Sequence, residues 1–350
     1  MPRKEALMYE VLAKDIIHCK LCPKSCYIAP NKRGFCKVRE NDRGRLFTLA
    51  YGETTAQAID PIEKKPLFNF WPGSLSFSIS TISCTFSCVW CQNWNISQVA
   101  PGEIRTEEIS PEDAVKLAKK YGCRSISYTY NEPFVWYEFI MDTAKIAQKE
   151  NILNVMVTNG YVTLEALDQI APFIDAANVD IKGFTEGFYR KYCAAELKPV
   201  LNATTAMKDK GIHVEVTNLI IPDLNDNSEE IREMCKWHVE NLGEETPLHL
   251  SRFYPHYRLA STPETPVSTL EKAQKIALEM GLHYVYVGNV PGHGGENTYC
   301  PKCKALLIER NGFDITEWRL APGKSCPECG FKPNIIGEYE ARSRVPHSTI

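Results

Sequence analysis

No run in the 350-residue sequence approaches the ~20 continuous apolar residues of a membrane helix, and the opening MPRKEALMYEVLAKDII has no apolar core of secretory type. These absences predict a cytoplasmic protein with no membrane attachment. Neither charge is in surplus: 40 Lys and Arg against 43 Asp and Glu leave a net charge of −3. No global basic field therefore advertises nucleic acid or an anionic lipid surface. Internal repeats and low-complexity tracts are absent too, which excludes solenoid and array architectures. The glycine-rich PGHGGEN, residues 291–297, is followed by no Lys-Ser/Thr pair, so it is a flexible link and not a phosphate loop.

What the sequence has is cysteine: fourteen in one chain. A reducing compartment keeps thiols free, so this number predicts metal sites and not disulfides. Eleven of the fourteen fall into three groups, and Cys123, Cys193 and Cys235 stand apart.

Between residues 76 and 290, short β-branched runs alternate with amphipathic stretches, the pattern of parallel βα units. Seven strands are expected, at 76–81, 125–130, 152–158, 175–181, 213–220, 247–253 and 283–288. Ser110-Pro111-Glu112-Asp113 opens one helix and Gly122 closes it; Ser228 and Ser268 are expected as N-caps of two more, ended by Gly243 and Gly281. About 215 residues fall short of the ~250 of an eight-unit barrel. The expected fold class is therefore α/β, a partial (β/α)6 TIM-like barrel, with an open doubly wound sheet as the rival. Residues 1–75 and 291–350, rich in Cys, Pro and Gly, read as small metal-stapled modules flanking the 76–290 core and shaping or covering its mouth.

The C-terminal group, Cys300, Cys303, Cys326 and Cys329, pairs CPKC with CPEC across a 22-residue spacer. Two such knuckles make a four-sulfur tetrahedral site for zinc, or for iron with the same ligands. The N-terminal group, Cys19, Cys22, Cys26 and Cys36, has a less diagnostic spacing and suits zinc or an iron–sulfur cluster, with His18 beside it as a substitute ligand. The central group, CTFSCVWC, holds only Cys84, Cys88 and Cys91. Three thiolates bind three irons of a cubane and leave the fourth open to another ligand. A zinc knuckle borrowing a distant fourth thiol is the alternative on spacing alone.

Cys84-x3-Cys88-x2-Cys91, after the first strand of a βα series and with Trp90 before the last cysteine, resembles the radical S-adenosylmethionine (SAM) superfamily. The resemblance implies a [4Fe–4S] cluster whose open iron chelates SAM, reductive cleavage to a 5′-deoxyadenosyl radical, and hydrogen abstraction from a substrate. CPKSC, DPIEKKPLF, CQNWNISQ, TYNEPFVWYEF, VTNGY, NVDIKGF, HLSRFYP and GNVPGHGGENTYCPKC extend the likeness over nearly the whole chain. Together they resemble the radical SAM enzyme of the AmmeMemoRadiSam system, related to the activating enzymes of glycyl radical enzymes such as pyruvate formate-lyase. The implied partners are a low-potential electron donor of flavodoxin or ferredoxin type, and a protein substrate or the AmmeMemo proteins.

In parallel βα folds functional residues gather at the carboxyl ends of the strands. Asn131 and Glu132, Thr158 and Asn159, and Asp180 with Lys182 follow the second, third and fourth strands; Glu215, Thr217, Asn218, His249, Arg252 and Asn289 come later. Related activases carry Gly-Gly-Glu-Pro where this sequence has Tyr130-Asn131-Glu132-Pro133. By resemblance Glu132 meets the SAM ammonium, Asn131 replaces the missing backbone approach, and Asp180 and Lys182 meet the ribose and carboxylate region. Thr158 and Asn159 supply the third-strand contact, and Trp90, Glu215, His249 and Arg252 join the SAM and substrate cavity. Cys193 reads as a buried thiol or a hydrogen donor, and Lys64 with Lys65 as a solvated turn or a donor-docking patch. The rival from another class is a non-catalytic cysteine-metal scaffold binding RNA or protein, against which the charge balance weighs.

Overall fold

The computed structural model describes residues 3–341. The β-branched runs assemble into one eight-stranded sheet. Its strands are β1 (Ala56–Pro61), β2 (Leu75–Ser80), β3 (Ser125–Tyr128), β4 (Leu153–Thr158), β5 (Ala176–Asp180), β6 (His213–Ile220), β7 (Leu248–Arg252) and β8 (Val285–Gly288). Strands β2 to β8 run parallel in strict sequence order, and β1 joins antiparallel to β2 at one edge. The main helices between them are α1 (Pro111–Lys120), α2 (Tyr137–Lys149), α3 (Leu164–Ile170), α4 (Leu197–Asp209), α5 (Ser228–Leu242) and α6 (Val267–Glu279).

A doubly wound sheet needs a point where strand order reverses, and here there is none. Right-handed crossovers repeated in one direction put every helix on the same face. The other face becomes a concave interior, lined on β2 and β3 by buried Ser76, Ser78, Ser125 and Ser127. Strands β1 and β8 do not pair, so the barrel is partial.

The helix ends follow local chemistry, with two corrections. Ser110 caps α1 by accepting the Asp113 amide at 3.0 Å, as its motif requires. For α5 the cap is Asn227, which accepts the amides of Glu229 and Glu230, so Ser228 is already inside the helix. Helix α6 begins at Val267 after Pro266 and has no side-chain cap, so Ser268 already lies inside the helix.

The two cysteine-rich ends sit differently. The N-terminal segment forms two small antiparallel sheets, and its apolar residues, among them Ile17, Ile28, Val38 and Leu46, belong to the same core as the barrel. A buried fork seals the junction: Arg39 donates to both oxygens of Glu138 on α2 at 2.7 and 2.8 Å. Strand β1, which lies within the 1–75 segment, is part of the large sheet. The C-terminal segment is a three-stranded ribbon of Thr298–Tyr299, Leu306–Asn311 and Asp314–Trp318 with its own small core.

That ribbon closes the barrel's base. Arg310 reaches the Phe68 carbonyl at 3.0 Å and stacks over its ring at 4.4 Å, and residues 69–72 bond to the backbone of Ile336 and Glu340. Among the described residues, the C-terminal module therefore caps the end opposite the strand C-termini, and the N-terminal module flanks the mouth.

Candidate active site

The loop leaving β2 carries Cys84, Cys88 and Cys91 into a cleft of about 240 Å³ at the carboxyl ends of the strands. Two of the three sulfurs meet a polar group suited to an anionic sulfur. The Phe86 amide points at Cys84 Sγ at 3.3 Å, Asn159 Nδ2 donates to the same atom at 3.6 Å, and Ser97 Oγ lies 3.2 Å from Cys91 Sγ. Among the described residues, only the ribbon cysteines bring three or more donor atoms within 4.8 Å of one another. The central thiols are thus too dispersed for one ion, as ligands to separate irons of a cluster must be. The residues present fit such a cluster.

Facing the cysteines, Glu132 is fully buried and bolts two loops together. It accepts Thr158 Oγ1 at 2.8 Å, the Asn159 amide at 2.8 Å and the Phe134 amide at 3.0 Å. Burial pushes its carboxyl up to about 7, against the pull of those donors. Asn131 ties the loop after β2 to the loop after β3, accepting from the Thr81 amide at 3.2 Å and donating to the Ser83 carbonyl at 2.8 Å. These bonds take one Nδ2 hydrogen and one Oδ1 lone pair, and the residue also lines the cleft.

Tyr130, where the related motif has glycine, adopts φ of 70°. This left-handed conformation is costly for an aromatic residue and is held from both ends. Asn93 Nδ2 donates to its carbonyl at 2.7 Å, and its hydroxyl donates to Asp60 at 2.6 Å.

Asp180 and Lys182 form a 2.9 Å ion pair on the cleft wall. Burial works against the lysine's charge, but Asp180 beside it holds the ammonium above its ordinary value. Trp90, Thr217 and Asn289 also line the cleft. So do Asn93, Ser97 and Ser251, which sequence reasoning missed. The first two lie in the quoted CQNWNISQ; Ser251 had no signal beyond its strand-end position.

Three assigned residues lie elsewhere. Glu215, near the start of β6, sits at the base, where it accepts the amides of Phe68 and Asn69 at 3.0 and 2.7 Å and bonds His213 and His249 at 3.0 and 2.6 Å. His249 packs edge-on to Phe68. Arg252 turns out of the barrel to the Thr265 carbonyl and Glu264, both at 2.7 Å. None of the three lines the cleft. For Glu215 and His249 the reason is depth, since strand alternation selects the inner face but not the height along it; for Arg252 it is the face, which points away from the cleft.

Other assignments change as well. Lys65 is 1 % exposed and pairs with Asp60 at 2.7 Å, so it belongs neither to a solvated turn nor to a docking patch; Lys64 bonds the other Asp60 oxygen at 2.8 Å. His18 has both ring nitrogens engaged, by Glu10 and Ser25, and is no substitute ligand. Cys193 is wholly buried against Cys88, behind the cleft. A larger groove of about 610 Å³ runs between the N-terminal module and α3–α4, lined by charges of both signs.

In the ribbon, the sulfurs of Cys300, Cys303, Cys326 and Cys329 all lie within 4.8 Å of one another, the closeness one tetrahedral ion requires. No helix among the described residues is long and apolar enough to cross a membrane.

With this geometry in place, likenesses to known proteins become informative. A family model described as the Radical SAM superfamily matches residues 78–238. The uncharacterized protein MJ0808 of Methanocaldococcus jannaschii is 49% identical over 334 residues, 95% of this chain and 99% of that protein. The pyruvate formate-lyase-activating enzyme of Clostridium pasteurianum is 24% identical over 43% of this chain and 64% of its own length. Among solved structures, a radical SAM methyltransferase from Sphaerobacter thermophilus superposes with a TM-score of 0.50 at 17% identity, covering 65% of this chain and 71% of that one.

Proposed function

This chain belongs to the radical SAM superfamily and is homologous to pyruvate formate-lyase-activating enzyme; from that premise we propose that Cys84, Cys88 and Cys91 hold its cluster and that the cleft beside them binds SAM. A reduced [4Fe–4S] cluster, when bound, supplies the electron that splits SAM into methionine and a 5′-deoxyadenosyl radical. The observation that carries the proposal is the gathering of three dispersed thiols, a buried carboxylate and a half-buried ion pair around one cleft.

The chain's own groups have separable tasks in this reading. Glu132, already oriented by three protein donors, retains lone-pair capacity for the ammonium of SAM. The Asp180–Lys182 pair presents both charges to the ribose and carboxylate region. Asn131 and Tyr130 position the loops and make no chemical contribution. Asn159, donating to Cys84 Sγ, tunes the sulfur's charge.

The substrate class we favour is a C–H bond of a partner protein, supported by the likeness to an activating enzyme. A flavodoxin- or ferredoxin-type protein is the proposed donor, the AmmeMemo proteins are proposed partners, and a reducing, cytoplasmic setting suits fourteen free thiols. Anaerobic reconstitution tests the proposal. About four irons should bind the central site, and dithionite with SAM should release 5′-deoxyadenosine. Replacing the three cysteines by alanine should abolish that release.

A further inference from the structure

The N-terminal cysteines surround a second site. Cys19, Cys22, Cys26 and Cys36 line one small, largely enclosed cavity whose other walls include Gly34, Arg39 and Thr85. Every one of the four sulfurs faces a main-chain N–H. Phe35 donates to Cys26 at 3.5 Å, and the amides of Leu21, Lys24 and Val38 lie beside Cys19, Cys22 and Cys36. Four amides aimed at four sulfurs form a cradle for thiolates, since a neutral thiol gains little from a donor. Gly34 lets the chain pass close: a Cβ there would lie 3.6 Å from Cys26 Sγ and 3.2 Å from Ile28. Arg39 borders the cavity, and Lys24 is anchored beside it on the Ala194 carbonyl.

The spread of the thiols selects the guest. Four sulfurs each about 2.3 Å from one zinc stand about 3.8 Å from one another. The ribbon has that geometry, with Cys300 and Cys329 at 3.6 Å and Cys303 and Cys326 at 3.5 Å. In the N-terminal group no three sulfurs come within 4.8 Å of one another, although all four face the same cavity. Thiols that share a cavity without converging on a point are arranged around a body and not around an ion.

We propose that Cys19, Cys22, Cys26 and Cys36 hold a second iron–sulfur cubane, fully ligated by protein and separate from the SAM site. The two sites share a wall. Thr85 lines the N-terminal cavity, Cys84 next to it in the chain lines the cleft, and Ser83 donates to the Cys36 carbonyl. Unlike the central group, this set leaves no open corner, so its chemistry is electron storage and not cosubstrate binding.

The test is anaerobic reconstitution of the full chain as wild type and as Cys84→Ala/Cys88→Ala/Cys91→Ala, with iron, acid-labile sulfide and zinc counted per chain. The triple variant should keep about four irons and four sulfides, and the wild type about eight of each. On reduction the triple variant should show a four-iron EPR signal that SAM does not alter. Should the triple variant not fold, Cys22→Ser in the otherwise native chain should lower the iron from about eight to about four. A second zinc per chain beyond the ribbon's, about two irons in place of four, or an unchanged iron count in Cys22→Ser would overturn the proposal. Loss of 5′-deoxyadenosine formation with iron retained would mark a failure of the central site alone.

Discussion

Thr158 donates its hydroxyl to Glu132 at 2.8 Å, joining the carboxyl end of β4 to the loop after β3 across the floor of the cleft. Because burial raises this carboxyl from 4.5 to about 7, its protonation changes within the working pH range. Held above its unfolded value, the group's contribution to stability is complete below about pH 4.5 and lost as pH rises through about 7.

A SAM ammonium beside Glu132 favours the ionised form. SAM affinity of anaerobic, reconstituted protein should therefore rise between pH 6 and pH 8, approaching about tenfold per pKa unit moved. Glu132→Gln should flatten that dependence and weaken binding at pH 8. Calorimetric titration at the two pH values measures it; a pH-independent wild type, or a variant with wild-type affinity at pH 8, would remove Glu132 from SAM recognition.

Glu215 makes the opposite prediction. Its two acceptor oxygens hold the Phe68 and Asn69 amides and two histidines at the base, away from the cleft. Glu215→Ala strands those donors and should cost about 3–5 kcal/mol, lowering the thermal midpoint. Iron content and SAM affinity of the protein still folded should stay at wild-type values. Loss of SAM affinity at full iron content would return Glu215 to the cavity.

The Asp60–Lys65 pair should behave as a buried unit. Lys65→Met leaves the Asp60 charge without its closest charged partner, and about 3 kcal/mol of destabilisation is expected. Asp60→Asn with Lys65→Met should cost less than the sum of the single changes, read from thermal unfolding as a double-mutant cycle. Additive effects would mean the pair is not coupled. Donor-dependent turnover of folded Lys65→Met at varied ionic strength should match wild type, since the ammonium is not at the surface.

Cys193 decides whether the central site is open. It lies against Cys88 yet away from the cleft. In Cys193→Ala the central cluster should form with wild-type iron content and 5′-deoxyadenosine should still be released. A variant that loses about four irons would make Cys193 a fourth ligand.

Much of this architecture was visible beforehand because its determinants are local. All seven parallel strands lie where β-branched runs end in turn residues, and the ribbon ligands declare themselves by spacing. What escaped was set by tertiary contacts. AQAIDP, the strand β1, lacks a clear alternation and becomes a strand by pairing with β2. Glu215 and His249 face inward as alternation implies, but their depth depends on the segment 66–70 that plugs the base, whose position follows from the ribbon packed beneath it. Lys65 looked solvent-bound because charge normally is; Asp60, five residues before it, and Tyr130, distant in sequence, make its burial tolerable. The N-terminal cysteine spacing left zinc and an iron–sulfur cluster both open, and the separation of its sulfurs is what sets it apart from the ribbon.

The most direct test of the central claim is the EPR spectrum of the reduced, reconstituted enzyme before and after saturation with SAM. Coordination at an open iron predicts shifted g-values for the central cluster, in wild type and Cys193→Ala alike. A central-cluster spectrum that saturating SAM leaves unchanged would contradict the account.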